Sequence, residues 1–204
     1  MTKEIRAFNF EVRAEENEEH GHFLTGRPIV YNSRTNLGWY DEIIEGGALD
    51  STDLRDVRFL VNHNTDMIPL ARSRNNTDHS TMQMVVDDNG MGIRVDLDTE
   101  NNAEAKNLYS AVSRGDIDGM SFMFTVDADA WDDIESEHPT RTIRAIGKVF
   151  EVSAVTFPAY EATSIQARGL SDALDSAKES LESERARQKK MEQRKKLIKL
   201  LLEV

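Results

Sequence analysis

The sequence predicts a mainly β protein with helices, of the α+β class, that ends in one long helix. Short stretches of alternating polarity, separated by Gly, Asn and Asp, recur through the first 170 residues and are typical of strands. From residue 171 onward the chain contains no Pro, Gly or aromatic residue, as expected for a continuous helix. We expect the strands to form an antiparallel core closed into a barrel, with the helices around it.

The predicted strands follow one another along the chain with turn residues between them. Alternating or continuous apolar runs predict strands at residues 5–12, 57–61, 82–86, 90–97 and 120–126. Asp-Asp-Asn-Gly at residues 87–90 predicts a tight turn between the third and the fourth of these strands. Gly147 divides the β-rich residues 142–156, which we interpret as a pair of strands.

One helix is predicted between the strands. Asn102 is a favourable N-cap, because its side chain can accept hydrogen bonds from the first turn. An apolar face repeats at helical spacing and is made by Ala105, Leu108, Tyr109 and Val112. Gly115 follows as a stop signal, so we expect a helix from Asn102 to Arg114.

The last part of the chain differs from the rest in charge. Residues 171–204 contain nine basic and seven acidic side chains, a net charge of +2, which leaves −14 for the first 170 residues. Residues 185–199, here named the cationic arm, hold eight basic side chains and one acidic side chain, Glu192. We therefore divide the chain into a domain at 1–169 and a charged helical tail at 170–204. The tail is either a solvated helix or a segment that binds a partner or is removed.

Apolar residues of this tail repeat at the spacing of a coiled coil. The positions are Leu170, Leu174, Ala177 and Leu181, and then Met191, Ile198 and Leu202. Glu184, Gln188 and Lys195 interrupt the apolar seam. Self-association through this helix is therefore an open alternative.

Composition excludes several classes of protein. The absence of cysteine excludes disulfides, thiolate metal sites and a cysteine nucleophile. A net charge of −12 disfavours binding to nucleic acid. No run approaches the roughly 18 apolar residues of a membrane span, and the start of the chain is unlike a signal peptide. We therefore expect a cytosolic protein with no nucleic-acid or membrane partner.

Three residues combine a reactive side chain with an apolar setting. His63 follows the apolar run 57–61, so a strand is expected to hold a potential general base at the rim of the core. Ser121 enters an apolar strand after Gly119 and Met120, where its hydroxyl is either a nucleophile or an ordinary strand-start serine. Glu151 has apolar neighbours on both sides, and because an unpaired buried charge is costly, it is expected to have a partner.

The other histidines lie in polar segments. His20 and His22 form a His-x-His pair that could ligate a metal with a third residue, whereas His79 and His138 are expected at the surface. An acidic cluster, also considered for metal binding, consists of Asp127, Asp129, Asp132 and Asp133. It lacks the Gly and Glu spacing of a calcium loop. A metal-dependent hydrolase is therefore the weaker alternative, and we expect no metal and no cofactor.

Four stretches carry a family resemblance between about residues 26 and 168. Residues 26–32 and 42–48 have the forms G-x-x-x-x-Y-N and E-x-I-x-x-G-A, and a strand ends in Asn62-His63. Residues 115–124 read G-x-I-x-G-x-S-x-x-F, and residues 151–160 read E-V-S-x-V-T-x-P-A-Y. In this order and spacing they resemble the prohead proteases of tailed bacteriophages, a family related to herpesvirus assemblin.

The resemblance implies a serine endopeptidase that acts in the host bacterial cytoplasm, inside the assembling prohead. Such an enzyme cleaves the scaffold or the scaffolding segment of the major capsid protein, and commonly itself. The implied fold is like that of the herpesvirus maturation protease, a closed β-barrel with surrounding helices. By motif position, Ser121 corresponds to the nucleophile and His63 to the general base.

The third member of the catalytic triad is Glu151 in our interpretation, since no histidine of this chain lies where the herpesvirus enzymes use one. The alternatives are His79, Asp66 and Asp118. For the oxyanion we expect backbone N–H groups near Ser121 or Arg144 as donors.

Two expectations concern the role of the whole chain. If it is a protease, the cationic arm docks it on an acidic scaffold or capsid segment before being cut off, and deleting residues 172–204 leaves peptide hydrolysis intact. The alternative function is that of a non-catalytic scaffold or minor capsid protein with the same fold, in which Ser121 and His63 are not aligned.

Overall fold

Residues 2–8, 12–156 and 164–202 are described by the computed structural model, apart from the side chains of Phe8, residues 164–172 and Leu200. In chain order the strands are β1 (Lys3–Phe8), β2 (Arg13–Asn17), β3 (Gly21–Val30), β4 (Thr35–Asn36), β5 (Asp41–Ile44), β6 (Asp56–Val61), β7 (Ala71–Arg74), β8 (Met82–Asp87), β9 (Gly90–Asp96), β10 (Gly119–Asp132) and β11 (Thr140–Val155). The helices are α1 (Ala103–Ser113) and α2 (Ser164–Leu202). The predicted mainly β, α+β class is confirmed.

The larger sheet is arranged around β11, a strand of 16 residues. One edge of β11 pairs antiparallel with β10, and β10 in turn pairs antiparallel with β1. The other edge of β11 pairs in parallel with β5 and, further along, with β6. β4 and β7 extend the sheet beyond β5 and β6. The expectation of an entirely antiparallel core is therefore wrong at this second edge of β11.

The smaller sheet has four antiparallel strands in the order β2-β3-β9-β8. The predicted turn at residues 87–90 joins β8 to β9, as the sequence indicated. Gly90 has a φ of 128°, and a Cβ there would lie 2.0 Å from the carbonyl oxygen of Ile29. Only glycine allows β3 and β9 to approach so closely at this point.

Gly147 does not divide two strands, and this part of the prediction is wrong. β11 runs without interruption from Thr140 to Val155. A Cβ at position 147 would lie 2.2 Å from a carboxylate oxygen of Asp127, where the pairing of β10 with β11 is irregular. The glycine therefore provides space for a neighbouring side chain at a β-bulge, and the sequence signal for such a glycine resembles that for a turn.

The two sheets contribute to one hydrophobic core. Its buried members from the larger sheet include Phe59, Phe122, Phe124 and Val152, and those from the smaller sheet include Leu24, Ile29, Met91 and Val95. The strand pairings of the described residues do not close either sheet on itself. The closed barrel therefore stays a prediction.

The predicted helix from Asn102 to Arg114 is confirmed by α1, whose N-cap is Asn102 and whose C-cap is Arg114. The side chain of Asn102 accepts hydrogen bonds from the backbone N–H groups of Glu104 and Ala105, at 2.9 and 3.2 Å. Ala105, Leu108 and Val112 are buried against the core. These contacts are the N-cap and the apolar face that the residue spacing indicated.

Helix α2 begins at Ser164, earlier than the predicted start at residue 171, and so crosses the predicted domain boundary. Ala173, Ala177 and Leu181 are buried, the last two in a cluster with Tyr40 and Trp131. Beyond Glu184 the described side chains are exposed. Residues 173–184 thus pack on the body. The first residue of the cationic arm, Arg185, still donates to the carbonyl oxygen of Ile134 at 2.8 Å, and the rest of the arm extends from the body. The division at 169/170 stays a prediction. Neither described helix carries an apolar stretch of the length that crossing a bilayer requires.

Candidate active site

Ser121 is the third residue of β10 and lies between two neighbouring strands. Its Cα partners are Ala7 on β1 and Ser153 on β11. The side chain is fully buried, and its Oγ donates a hydrogen bond to the carbonyl oxygen of Arg6 at 2.8 Å. The strand that the apolar residues 122–124 predicted therefore places this hydroxyl at a fixed position in the larger sheet.

His63 is positioned by an unusual turn at the end of β6. Asn62 and His63 both have left-handed backbone conformations, with φ of 52° and 56°. The side chain of Asn62 holds the turn by hydrogen bonds to the Thr156 N–H and hydroxyl of the neighbouring strand end. Left-handed backbone is uncommon for residues other than glycine, and Asn and His adopt it more readily than most other residues. The turn directs the imidazole back over β11.

Glu151 is the partner of His63. The Nδ1 atom of His63 lies 2.6 Å from Oε1 of Glu151, and both side chains are buried. Of the four residues considered for this role, Glu151 is the one that is hydrogen-bonded to the imidazole. Asp66 lies in the exposed loop after His63, His79 lies in the exposed loop before β8, and Asp118 precedes β10. The prediction that buried Glu151 needs a partner is confirmed by this pair.

Ser153 connects the other groups and was not singled out from the sequence. Its Oγ accepts a hydrogen bond from the backbone N–H of His63 at 3.1 Å and donates one to Oε2 of Glu151 at 2.5 Å. It also faces Ser121 across the β10–β11 pair, where opposite Cβ atoms are about 5 Å apart. The signal for it is the Glu-x-Ser spacing, because residues two apart on a strand share one face.

Ser121 and His63 both lie next to Ser153 but are not hydrogen-bonded to each other. The Ser121 hydroxyl is engaged by Arg6, and Nε2 of His63 is buried without a hydrogen-bond partner among the described residues. A buried polar atom without a partner is rare and usually has a functional reason. To donate its proton to Nε2, the Ser121 hydroxyl would have to release the carbonyl oxygen of Arg6.

Arg144 is too far from Ser121 to supply an oxyanion donor. It precedes Ser153 by nine residues on β11, or about 30 Å at roughly 3.3 Å per residue. Its side chain is directed to Glu45 at 3.7 Å. Backbone N–H groups near Ser121 are the remaining expectation.

The side chains considered as metal ligands do not lie close together. His22 contacts Thr99 through Nδ1 at 2.8 Å, whereas His20 lies near Glu19. Asp129 is engaged by Arg141 and Ser180. Within residues 2–8, 12–156 and 164–202, no three potential ligands form a group that could hold an ion. This arrangement gives no support to the alternative of a metal-dependent hydrolase.

A buried charge network, defined by Glu4, Arg6, Glu42, Asp129 and Arg141, fixes the strand whose carbonyl binds Ser121. Arg6 binds both oxygens of Glu42 and contacts Glu4 at 2.6 Å. Arg141 binds Glu4 at 2.9 Å and Asp129 at 2.7 Å. Because buried charges are tolerated only when they are paired, these contacts hold β1 rigidly against the sheet.

Two serines of helix α2 donate hydrogen bonds to carboxylates of this network. Ser176 donates to Oε1 of Glu4 at 3.0 Å, and Ser180 donates to Asp129 at 2.9 Å. Trp131 donates to the Ser180 hydroxyl at 3.0 Å. The packed half of the helix is therefore tied by hydrogen bonds to the strand next to Ser121.

The pKa values of Glu4 and of Tyr40, whose hydroxyl lies 3.5 Å from Arg6, are shifted in this network. Burial alone would raise the pKa of Glu4, but Arg6 and Arg141 outweigh it and hold that pKa below its ordinary value. Burial raises the pKa of Tyr40 to about 12. Both groups therefore keep one charge state across the neutral range.

The chain was compared with known proteins. The family model of caudovirus prohead serine proteases matches residues 8–177, which include Ser121, His63 and Glu151. Among solved structures, the bacteriophage T4 capsid assembly protease is similar, with 13% sequence identity and a TM-score of 0.40 over 76% of this chain and 99% of that chain. A comparison with curated proteins found no match.

Proposed function

The chain belongs to the caudovirus prohead serine protease family, and from this we propose that it is a serine endopeptidase with a triad of Ser121, His63 and Glu151. The observation that carries the proposal is the buried contact of 2.6 Å between Nδ1 of His63 and Oε1 of Glu151. A carboxylate at Nδ1 leaves Nε2 as the basic nitrogen, which is the state that a general base for a serine needs.

Each member of the triad has one role in this mechanism. The Ser121 Oγ attacks the carbonyl carbon of the scissile peptide bond while Nε2 of His63 takes its proton. Glu151 stabilises the imidazolium that forms, and His63 then gives the proton to the leaving amine. Water attacks the resulting acyl-enzyme by the same route, releasing the second product and restoring Ser121.

The proposed substrate is the scaffold or the scaffolding segment of the major capsid protein, cleaved inside the assembling prohead, and also this chain itself. Family membership supports this proposal. We further propose that the fold is related to herpesvirus assemblin and that the two sheets belong to one closed barrel. Their shared hydrophobic core supports this arrangement.

The cationic arm is proposed as the segment that brings the protease into the prohead. Eight basic side chains on an exposed helix are complementary to an acidic scaffold or capsid segment, whereas the rest of the chain is acidic. Confinement with the substrate raises the effective concentration into the millimolar range, so even a slow enzyme can complete the cleavage.

Co-expression with the capsid protein from the same source tests the proposed protease activity. Wild type, Ser121→Ala and the control Ser113→Ala, which changes an exposed serine of α1, are compared by intact mass spectrometry of all products. We expect wild type and the control to shorten the capsid protein and their own chains, and Ser121→Ala to leave both full length. Full-length capsid protein with wild type would contradict the proposal.

A non-catalytic scaffold or minor capsid protein is the second candidate, because the Ser121 hydroxyl is buried and bound to Arg6 in this conformation. Labelling with a fluorophosphonate separates the two functions, since only an activated serine reacts with it. A catalytic protein is labelled in wild type and in Ser113→Ala but not in Ser121→Ala. A scaffold protein shows no labelling in any of them.

A further inference from the structure

Exposed apolar side chains are concentrated at the C-terminal end of helix α2. Five large apolar residues there are between 47% and 81% exposed: Met191, Leu197, Ile198, Leu201 and Leu202. Single exposed apolar residues are ordinary on a protein surface, but a group of them on one short segment indicates a binding surface. The end of the helix is therefore a docking surface separate from the proposed triad.

Three of these residues continue the apolar seam by which α2 already packs on the body. Ala177 and Leu181 are buried against the body. Met191, Ile198 and Leu202 follow in the same heptad register but are exposed, and they are here named the distal seam. The body thus covers the first part of the seam, and the distal part has the spacing that packs on the seam of another helix.

The distal seam contains positive charge. Lys195 occupies the heptad position between Met191 and Ile198, and Arg194 lies on the flank of the seam. Glu192 is the one acidic side chain of the cationic arm, against eight basic side chains. Because an unpaired charge is costly where water is excluded, a helix that packs on this seam must present a carboxylate to Lys195.

A second copy of this chain does not supply such a helix among its described residues. Two paired arms would bring Lys195 and the basic flanks together, and like charges at these positions oppose pairing. The other described helix, α1, has Ala105, Leu108 and Val112 buried in the core. The helix that fits the distal seam therefore belongs to a different protein.

A lipid surface fits the same segment less well. An interfacial helix presents a continuous apolar face to the acyl chains and keeps its cations on the opposite face. Here Lys195 lies within the seam and Arg194 lies beside it. A face that mixes apolar and cationic positions is complementary to a protein surface that mixes apolar residues with carboxylates.

We propose that the distal seam forms a coiled coil with an acidic amphipathic helix of the protein that scaffolds the prohead. Apolar residues of that helix pack on Met191, Ile198 and Leu202, and its carboxylates bind Lys195 and Arg194. The inference rests on the proposed docking role of the cationic arm. It adds that the partner is helical, and it names the seam residues by which that helix is distinguished from other acidic surfaces.

Binding of two designed helical peptides tests the proposal. Both peptides carry Leu and Ile at the seam positions, and one has Glu, the other Lys, on its flanks and at the position that faces Lys195. The full chain carries Ser121→Ala so that neither peptide is cut, and affinity is measured by isothermal titration calorimetry. We expect the Glu peptide to bind about tenfold more tightly than the Lys peptide, or better.

Neighbouring residues on the same helix provide matched controls. Ile198→Ser should weaken binding of the Glu peptide by about tenfold, whereas Leu197→Ser, outside the heptad register, should change it by less than about twofold. Lys195→Glu should also weaken it about tenfold, and Lys196→Glu by less than about threefold. A peptide with Lys at the facing position should restore binding to Lys195→Glu. In the otherwise unchanged chain, the same four variants should differ in the same order in the protease content of purified proheads.

Equal effects of the two variants in either neighbouring pair would overturn the coiled coil, because charge or apolar contact alone would then explain binding. Affinity for phosphatidylglycerol vesicles without affinity for the Glu peptide would overturn it as well, as would dimers of the chain in light scattering that Ile198→Ser dissociates. In these cases, a lower prohead content of the chain ending after Arg185 would leave the docking role of the cationic arm standing. Normal content of that truncated chain would overturn both.

Discussion

At the scale of single residues, the two ring nitrogens of His63 have different surroundings. Nδ1 faces Glu151, and because an ionised carboxylate can only accept hydrogen bonds, Nδ1 carries the proton. Nε2 is then the acceptor and is the buried atom without a partner. The left-handed backbone at Asn62 and His63 is the conformational cost of this orientation.

Glu151→Gln should abolish most of the activity while the protein stays folded. An amide has one accepting oxygen, so its NH₂ group must face either His63 or Ser153, and one hydrogen bond of the pair is lost. We expect kcat to fall by about 10³–10⁴-fold, as when the carboxylate of a serine protease triad is replaced by an amide. Peptide hydrolysis and thermal melting of both proteins measure this, with exposed Glu137→Gln as the unchanged control.

The sequence allowed His63, Ser121 and Glu151 to be chosen because each has apolar strand residues beside it. Glu151 is the clearest case, since its burial between apolar neighbours required a partner whatever the function. The hydrogen bond from Ser121 to Arg6 joins residues 115 positions apart. No local pattern indicates such a contact, because it depends on which strand lies next to β10.

At the scale of elements, helix α2 has two halves with different surroundings. Ala177 and Leu181 pack with Tyr40 and Trp131, and Ser176 and Ser180 bind buried carboxylates. The cationic arm is exposed. The expectation that residues 172–204 can be deleted without effect on hydrolysis therefore conflicts with the packing of the first half.

Two truncations should separate the halves of α2. Ending the chain after Arg185 should leave melting temperature and peptide hydrolysis unchanged but lower incorporation into proheads, because the truncation removes seven of the eight basic side chains of the arm and keeps the packed half of the helix. Ending it after Asp172 should cost about 3–5 kcal/mol of stability, since buried charged groups lose their partners. Thermal melting, peptide cleavage and the protease content of purified proheads measure these effects. Normal incorporation of the longer form would contradict the docking role of the arm.

Local signals identified α1 and most of the strands that line the core. Asn102, the apolar spacing after it and the turn at residues 87–90 act within a few residues, so they are readable from one sequence. Gly147 was misread because a glycine that makes room for Asp127 and a glycine in a turn have the same local pattern. Pairing partners decide between these two cases, and they lie elsewhere in the chain.

At the scale of the whole molecule, the buried charge network links β1, β5, β10 and β11, and α2 donates hydrogen bonds to it. Arg6 and Arg141 have almost no exposure to solvent. Removing one partner would leave a buried charge uncompensated, so we expect the loss of any one member to destabilise the others. The rest of the charged groups are mostly on the surface, where ion pairs contribute little to stability.

Acid should weaken the fold through this network. The pKa of Glu4 is lower in the folded protein than its ordinary value of 4.5, so the stability that ionised Glu4 contributes is present above that value and is lost as the pH falls through the folded pKa. We expect the free energy of unfolding by urea to decline with decreasing pH below about 4.5. Glu4→Gln should be less stable than wild type at neutral pH and should show a shallower decline. An equal slope in both proteins would contradict a contribution from Glu4.

The fold class was predictable because it depends on the alternation and spacing of apolar residues along the chain. The parallel pairing of β11 with β5 and β6 was not, since it joins segments separated by long stretches of sequence. Alternating polarity indicates that a strand has a buried face, but it does not indicate the direction of the neighbouring strand.

The parallel pairing of β6 with β11 has a consequence for the time at which the enzyme can act. His63 and Glu151 are 88 residues apart, so the ribosome makes β6 several seconds before β11 at the usual rate of about 5–20 residues per second. Closing so long a loop is also slow. If the proposed function is right, a nascent chain has no assembled triad, and the growing polypeptide cannot cut the proteins around it until β11 has been made.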